Sequence, residues 1–205
     1  MDKSVYKRPN KPKRIATHGR ERAQPVPVKE LPKVIEIHKD SECHVTPKDV
    51  AQRMVEYLEA STDMLTLEPS AGTGNLVRAL LDSGHSVHEL TAIERHLGLC
   101  GELKRTFREI PIMDRCFLEY AEEVTGRVEF PRILMNPPFR KAKAHVNAAI
   151  SLLHPNGHPD AILVALVPIT FNHPNAEELE TLPRDTFPNA PGVGTKIIRI
   201  TKELS

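Results

Sequence analysis

No stretch of this 205-residue chain approaches the ~20 consecutive apolar residues of a membrane-spanning helix. Its longest apolar run, Ala161 to Ile169, falls far short. The amino terminus is polar and basic, without the apolar centre of a secretory signal. The three cysteines, Cys43, Cys100 and Cys116, form no CxxC pair and are odd in number, which argues against a disulfide framework and a zinc site. Ten histidines are scattered without HExxH or paired Cys/His spacing, so no metal is expected. There is no GK[ST] and no full GxGxxG, which argues against a nucleoside-triphosphate loop. No internal repeat is visible. These absences leave a soluble, cytoplasmic, metal-free globular protein as the expectation, and a composition of 40% hydrophobic and 27% charged residues agrees with it.

The net charge of +1 hides an asymmetry. Residues 1–22 carry eight basic side chains (Lys3, Lys7, Arg8, Lys11, Lys13, Arg14, Arg20 and Arg22) against Asp2 and Glu21. That surplus of six leaves the remainder five negative. Residues 1–33 are also rich in proline and poor in apolar periodicity, and are read as a flexible arm ahead of a catalytic domain over 34–205. A basic arm on a mildly acidic body suits phosphate tracking, with Lys11, Lys13 and Arg14 as contacts. A solvated tail that only aids solubility is the plainer alternative.

Beyond the arm the pattern alternates. Thr46-Pro47-Lys48-Asp49 reads as a helix start, with Thr46 as N-cap and Pro47 at the first helical position. Val50, Met54 and Leu58 follow at helical spacing. Met64–Glu68 reads as a short buried strand, then a helix with Leu76, Val77, Leu80 and Leu81 stops at Gly84. Val87–Glu94 reads as a strand and His96–Phe107 as a helix; a weaker strand lies around Ile110–Phe117. Arg132–Met135 is a strand, Ala142–Leu153 a helix, Ala161–Val167 a strand buried on both faces, and Lys196–Thr201 a last β-rich segment. Strands alternating with helices predict an open, mostly parallel sheet covered on both sides, which binds ligands beyond the carboxyl ends of its strands.

Three motifs fall on that rim. Glu68-Pro69-Ser70-Ala71-Gly72-Thr73-Gly74 opens a strand-to-helix turn whose glycines let the backbone approach a ligand where a Cβ would collide. Glu94 ends the next strand about twenty residues on, the spacing at which a carboxylate accepts ribose hydroxyls. Asn136-Pro137-Pro138-Phe139 is the sharpest. Two prolines fix the backbone and remove donors, so the Asn136 amide oxygen and the Pro137 carbonyl present two acceptors to the hydrogens of one amino group. Phe139 offers a face on which a flipped base can stack. A Pro-stiffened turn around a core phenylalanine is the structural alternative. Arg140, Lys141 and Lys143 follow, either as phosphate contacts or as a solvated helix start. Phe171 is either a second wall of the base pocket or, more in keeping with its place after a central strand, a core residue.

In these motifs the chain resembles the amino-methyltransferases of DNA, in the permutation where the cofactor motifs precede the catalytic one. Small phage- or plasmid-borne adenine methylases are the nearest likeness. His44-Val45-Thr46-Pro47 resembles the motif leading into the cofactor site. Glu68 to Gly74 resembles the first motif, which holds the methionine moiety of S-adenosylmethionine. Ala92-Ile93-Glu94 resembles the second, and Asn136 to Phe139 the catalytic fourth. The likeness covers about residues 44–202 in the family's order. It implies a Rossmann-like methyltransferase fold with a mostly parallel seven-stranded sheet. S-adenosylmethionine is the implied cofactor, held by Thr46, Pro47, Glu68, Pro69, Ser70, Ala71, Gly72, Gly74, Glu94, Asp114, Cys116, Phe117 and Asn136. It also implies catalysis by Asn136, Pro137, Pro138 and Phe139. One motif departs: the family places Asp-Phe-Leu after the third strand, its Asp reaching the cofactor's adenine ring. Cys116-Phe117-Leu118 stands here instead. Either Asp114 substitutes through a bulge or the contact is missing.

The implied reaction is methyl transfer to an exocyclic amine, adenine N6 in DNA first. RNA is the alternative nucleic acid, through guanine N2 of rRNA, and the same geometry serves a release-factor glutamine amide. A non-catalytic nucleic-acid-binding relative is the reading from another class. No recognition domain follows the last strand. Recognition sequence and adenine N6 against cytosine N4 stay open at this stage, as does a homodimer.

Overall fold

Ala161–Val167, the unbroken apolar run, lies inside the longest parallel strand of the sheet. Its side chains divide between two cores. Ile162, Val164 and Leu166 face one, and Leu163, Ala165 and Val167 the other. Every one of them is buried. Such a strand has no solvent face, which is why no polar residue alternates through it.

The computed structural model describes residues 44–187 and 192–203. In chain order the elements are α1 (Lys48–Leu58), β1 (Thr66–Glu68), α2 (Asn75–Asp82), β2 (Leu90–Glu94), α3 (Leu97–Thr106), β3 (Ile112–Asp114), α4 (Phe117–Val124), β4 (Arg132–Met135), α5 (Ala142–Leu152), β5 (Asp160–Pro168), β6 (Glu177–Leu182) and β7 (Thr195–Glu203). They form one seven-stranded sheet in the order β3-β2-β1-β4-β5-β7-β6. The first five pair in parallel and β7 runs antiparallel to both neighbours. Helices α1, α2 and α3 supply one core through Met54, Leu58, Leu80 and Leu103. Helices α4 and α5 supply the other through Tyr120, Val146 and Ala149. The chain turns from building outward on one side to the other between β1 and β4, and that reversal opens the crevice where such sheets bind ligands.

Four expectations change. Thr46 is not the N-cap of α1: Pro47 holds that position with no side-chain cap bond, and the Thr46 hydroxyl serves a different group, described below. Of Val87–Glu94, residues Val87–Glu89 form a 3-10 turn and only Leu90–Glu94 is strand. The third strand stops at Asp114, and Phe117, read as its end, opens α4. Helix α4 and strand β6 are additions to the expected elements; α4 carries its apolar face on Phe117, Tyr120, Ala121 and Val124, whereas β6 has no clear alternation. The basic arm, with Lys11, Lys13 and Arg14, lies outside the described residues.

Candidate active site

The turn after β1 is strapped to β2. The Ala71 N–H donates to the Ile93 carbonyl (3.0 Å) and the Gly74 N–H to the Ala71 carbonyl (2.7 Å). Gly72 and Gly74 have φ of +53° and +83°, the left-handed region that favours glycine. Gly74 is needed twice over, because a Cβ there would stand 2.7 Å from both Leu103 Cδ2 and Phe107 Cε2. The glycines therefore let the loop lie against α3 and bring its amides to the rim.

Two carboxylates close this loop from below. Glu94 is buried, and its oxygens accept the Gly72 N–H and the His96 N–H, each at 2.7 Å. Two backbone bonds fix the carboxylate while leaving lone pairs for a further donor. Glu68 is fully buried; Oε1 accepts the Ser70 N–H at 3.1 Å and Oε2 has no partner. Burial pushes the Glu68 carboxyl well above the usual range, and the Glu94 carboxylate pushes the same way.

Between these groups lies a cleft of about 350 Å³. Its lining includes Pro69, Ser70, Gly72 and Glu94, the Arg95–Leu97 segment and Leu99, and Arg115, Cys116, Phe117, Pro138 and His145. Residues from four different rim segments thus meet in a single concavity of the size a nucleoside needs. Asp114 is exposed at the end of β3 and does not line the cleft. Arg115 does reach the cleft, while its guanidinium pairs with Glu123 at 2.6 Å. His145 was missed from the sequence. It is buried on α5, its Nδ1 lies 3.1 Å from the Lys141 carbonyl, and its ring centroid is 5.9 Å from that of Phe117.

Asn136 follows β4. Its Nδ2 donates to the His44 carbonyl and to Thr46 Oγ1, each at 2.9 Å. Both amide hydrogens are therefore spoken for, which fixes the amide orientation, and Oδ1 is a buried acceptor with no partner. Thr46 is buried and acts from both ends, since its carbonyl also accepts Asn75 Nδ2 at 2.7 Å. This is the work of the hydroxyl that sequence reasoning gave to helix capping. Pro137 is buried, and the Pro138 carbonyl accepts the Lys141 N–H at 2.9 Å, starting the turn into α5. A small cavity of about 30 Å³ connects Asn136 with Thr46, Ser70 and Gly72, which places the Asn-Pro-Pro and glycine motifs against one another.

Phe139 is half-buried. The His44 ring stacks on it with centroids 4.5 Å apart and planes at 22°, and Phe187 meets it edge-on at 6.2 Å. Phe187 sits in a Pro-rich stretch with no motif around it, so nothing in the sequence pairs it with Phe139. Phe171 packs against the core. Arg140, Lys141 and Lys143 are exposed at the start of α5. Among the described residues no group of three or more His, Cys, Asp or Glu is placed to hold a metal ion. No described helix is long and apolar enough to cross a membrane.

No protein-family model matches the chain, and no curated protein matches it in sequence. Solved structures do share its architecture. A 23S rRNA methyltransferase, ErmE, superposes with a TM-score of 0.61 at 18% identity, over 79% of this chain and 70% of that one. A dimethyladenosine transferase from Plasmodium falciparum gives 0.58 at 15%, over 78% and 63%. The methyltransferase subunit of a type I restriction-modification system from Streptococcus thermophilus gives 0.61 at 15%, over 78% and 44%. The chain spans less than two thirds of the latter two. The fold is thus the Rossmann-like methyltransferase fold.

Proposed function

We propose that this protein is an S-adenosylmethionine-dependent methyltransferase acting on an exocyclic amino nitrogen, adenine N6 in DNA before any other. The observation that carries the reading is the Asn136 amide, whose two hydrogens are engaged and whose oxygen is left as an orphaned acceptor. An unmet buried acceptor costs about 1–3 kcal/mol, and a donor amine placed against it recovers that cost. Stiff prolines on its carboxyl side hold it in place.

The cleft fits the cofactor on this chain's own features. The glycine turn brings the backbone close, Glu94 is oriented by two amide donors to accept ribose hydroxyls, and Leu97 and Phe117 give apolar surface for a ring. S-adenosylmethionine supplies a methyl group already activated on a sulfonium. Asn136 Oδ1 and the Pro137 carbonyl accept the hydrogens of the target amine, which favours a pyramidal nitrogen with an available lone pair. The remaining work is positioning and electrostatics, and the released proton leaves to water. Phe139 and Phe187 form an aromatic corner for the base, where the His44 ring now lies. The arm over 1–33, with Lys11, Lys13 and Arg14, and the exposed Arg140, Lys141 and Lys143 are assigned to phosphate.

Two of the structural neighbours are named for rRNA or dimethyladenosine, which keeps RNA as the second substrate class. Incubation with tritiated S-adenosylmethionine and duplex DNA, rRNA or a protein mixture, followed by nucleoside analysis, tests both. Label in N6-methyladenine of DNA is the expected result. Label confined to RNA or protein overturns the DNA assignment, and binding without transfer to any of the three overturns catalysis.

A further inference from the structure

The cleft lining is of two kinds. Glu94 presents a fixed carboxylate to hydroxyl donors. Leu97, left 74% exposed at the start of α3, and Phe117 of α4 offer apolar surface to a flat ring. An adenine ring placed there needs an acceptor for its exocyclic amine. Asp114 lies outside the lining. Arg95 and Arg115 carry only donors. His96 Nδ1 is already taken by the Leu99 N–H at 3.4 Å.

His145 remains. Its Nδ1 faces a carbonyl oxygen, which can only accept, so the proton sits on Nδ1. Nε2 is then an unprotonated acceptor, with no protein partner among the described residues. Burial holds the ring below the usual imidazole range; the Lys141 carbonyl pulls the other way less strongly than burial, and the Lys141 and Arg95 charges add smaller lowering. Burial thus favours the neutral ring. The Lys141 carbonyl and Phe117 fix its orientation from two elements.

We propose that His145 reads the nucleobase of the cofactor, its Nε2 accepting a hydrogen bond from the exocyclic amine of adenine. This rests on the S-adenosylmethionine assignment above. The residue is a specificity determinant on α5 that replaces a carboxylate on the β3 side, so the missing acid does not leave the amine unread.

Calorimetric titration of the full chain with S-adenosylhomocysteine and with S-inosylhomocysteine tests it. The inosyl ligand carries a carbonyl oxygen where the adenosyl ligand carries the amine, so it sets acceptor against acceptor. The wild type is expected to prefer the adenosyl ligand by roughly ten- to a hundredfold, the discrimination of an unmatched buried acceptor. His145→Phe keeps a ring against Phe117 and removes the acceptor; the preference should fall to within about threefold. His145→Gln restores an acceptor at similar reach and should recover most of it. If the Phe variant loses its cooperative melting transition, the Gln variant and the wild-type ratio decide. A wild type that binds both ligands equally, or a Phe variant that keeps the full preference, overturns the role of His145 alone. A wild type that binds neither overturns the cofactor assignment with it.

Discussion

The two rims of the sheet treat their buried polar groups differently. On the amino-terminal rim Arg132, at the start of β4, is buried and well served. Nη1 donates to the Pro131 and Asp160 carbonyls (2.9 and 3.1 Å), Nη2 to Asp160 Oδ1 (2.9 Å) and Nε to the Glu59 carbonyl (3.4 Å). One guanidinium thus ties β4, β5 and the end of α1. On the carboxyl-terminal rim Glu68 Oε2, Asn136 Oδ1 and Thr195 Oγ1 are buried without partners. His85, ahead of β2, breaks the pattern, since its Nε2 is also unmet on the opposite side. A satisfied buried network holds elements together, whereas an unmet buried polar atom lowers stability until a ligand or a water meets it. The first rim is tied up within the fold, and on the proposed reading the second keeps polar atoms for a ligand.

The sharpest test exchanges roles between them. Asn136→Ala removes the unmet acceptor together with the two amide hydrogen bonds to the His44 carbonyl and Thr46 Oγ1, so the melting temperature should fall by a few degrees while S-adenosylhomocysteine still binds. Turnover should drop by about 10²–10³, the scale on which one preorganised polar contact contributes to a transition state. Equal loss of binding and turnover would make the rim structural after all. Arg132→Ala should do the reverse. It leaves the partner carboxylate unpaired and costs about 3 kcal/mol, the low end for a broken buried pair because Asp160 keeps 31% of its side-chain surface in water. The melting temperature should fall by roughly 2–4 °C per kcal/mol, with ligand affinity unchanged below the transition. A loss of affinity with full stability would overturn the division of labour.

Thr46→Val probes the support of the catalytic amide. The substitution keeps the shape and removes the hydroxyl that accepts one Asn136 hydrogen. The amide loses one of two restraints and can rotate, so kcat should fall about tenfold with little change in cofactor affinity. A change confined to KM would place Thr46 on the substrate side instead.

The contrast between rims also explains how much the sequence disclosed. Ile133–Met135 of β4 and Ala161–Val167 of β5 were legible because burial on both sides leaves only apolar residues there. The glycine turn and Asn136 to Phe139 were legible because backbone chemistry restricts which residues can occupy them. Strand β6 was not. Its sequence, EELETL, has no strand propensity, and it is held at the edge by pairing with β7 and by Arg199–Glu177 and Lys196–Glu178 bridges (both 2.9 Å). Tertiary pairing overrides local preference there. Thr46 was misassigned because a Thr-Pro pair satisfies the capping pattern equally well. Only the long-range bond to Asn136, ninety residues away, distinguishes the two roles. His145 and Phe187 were invisible for the same reason.

The smallest effect should come from Glu68, and its sign is informative. Burial raises its folded-state carboxyl well above the unfolded value, so the native state holds a proton that the unfolded chain releases. Stability from this group is complete below the unfolded pKa of about 4.3 and declines as the pH rises toward the folded value. Glu68→Gln cannot ionise, so the melting curve of the variant should lie above that of the wild type at pH 8 and converge with it near pH 4. Oε2 is one of the unmet atoms of the binding rim, and a cationic ligand beside it would favour the carboxylate. The same substitution should therefore weaken binding of S-adenosylmethionine, and saturating ligand should narrow the stability gap at pH 8. A Gln variant that gains stability and binds as tightly would remove Glu68 from the site and leave Asn136 as the acceptor the rim holds in reserve.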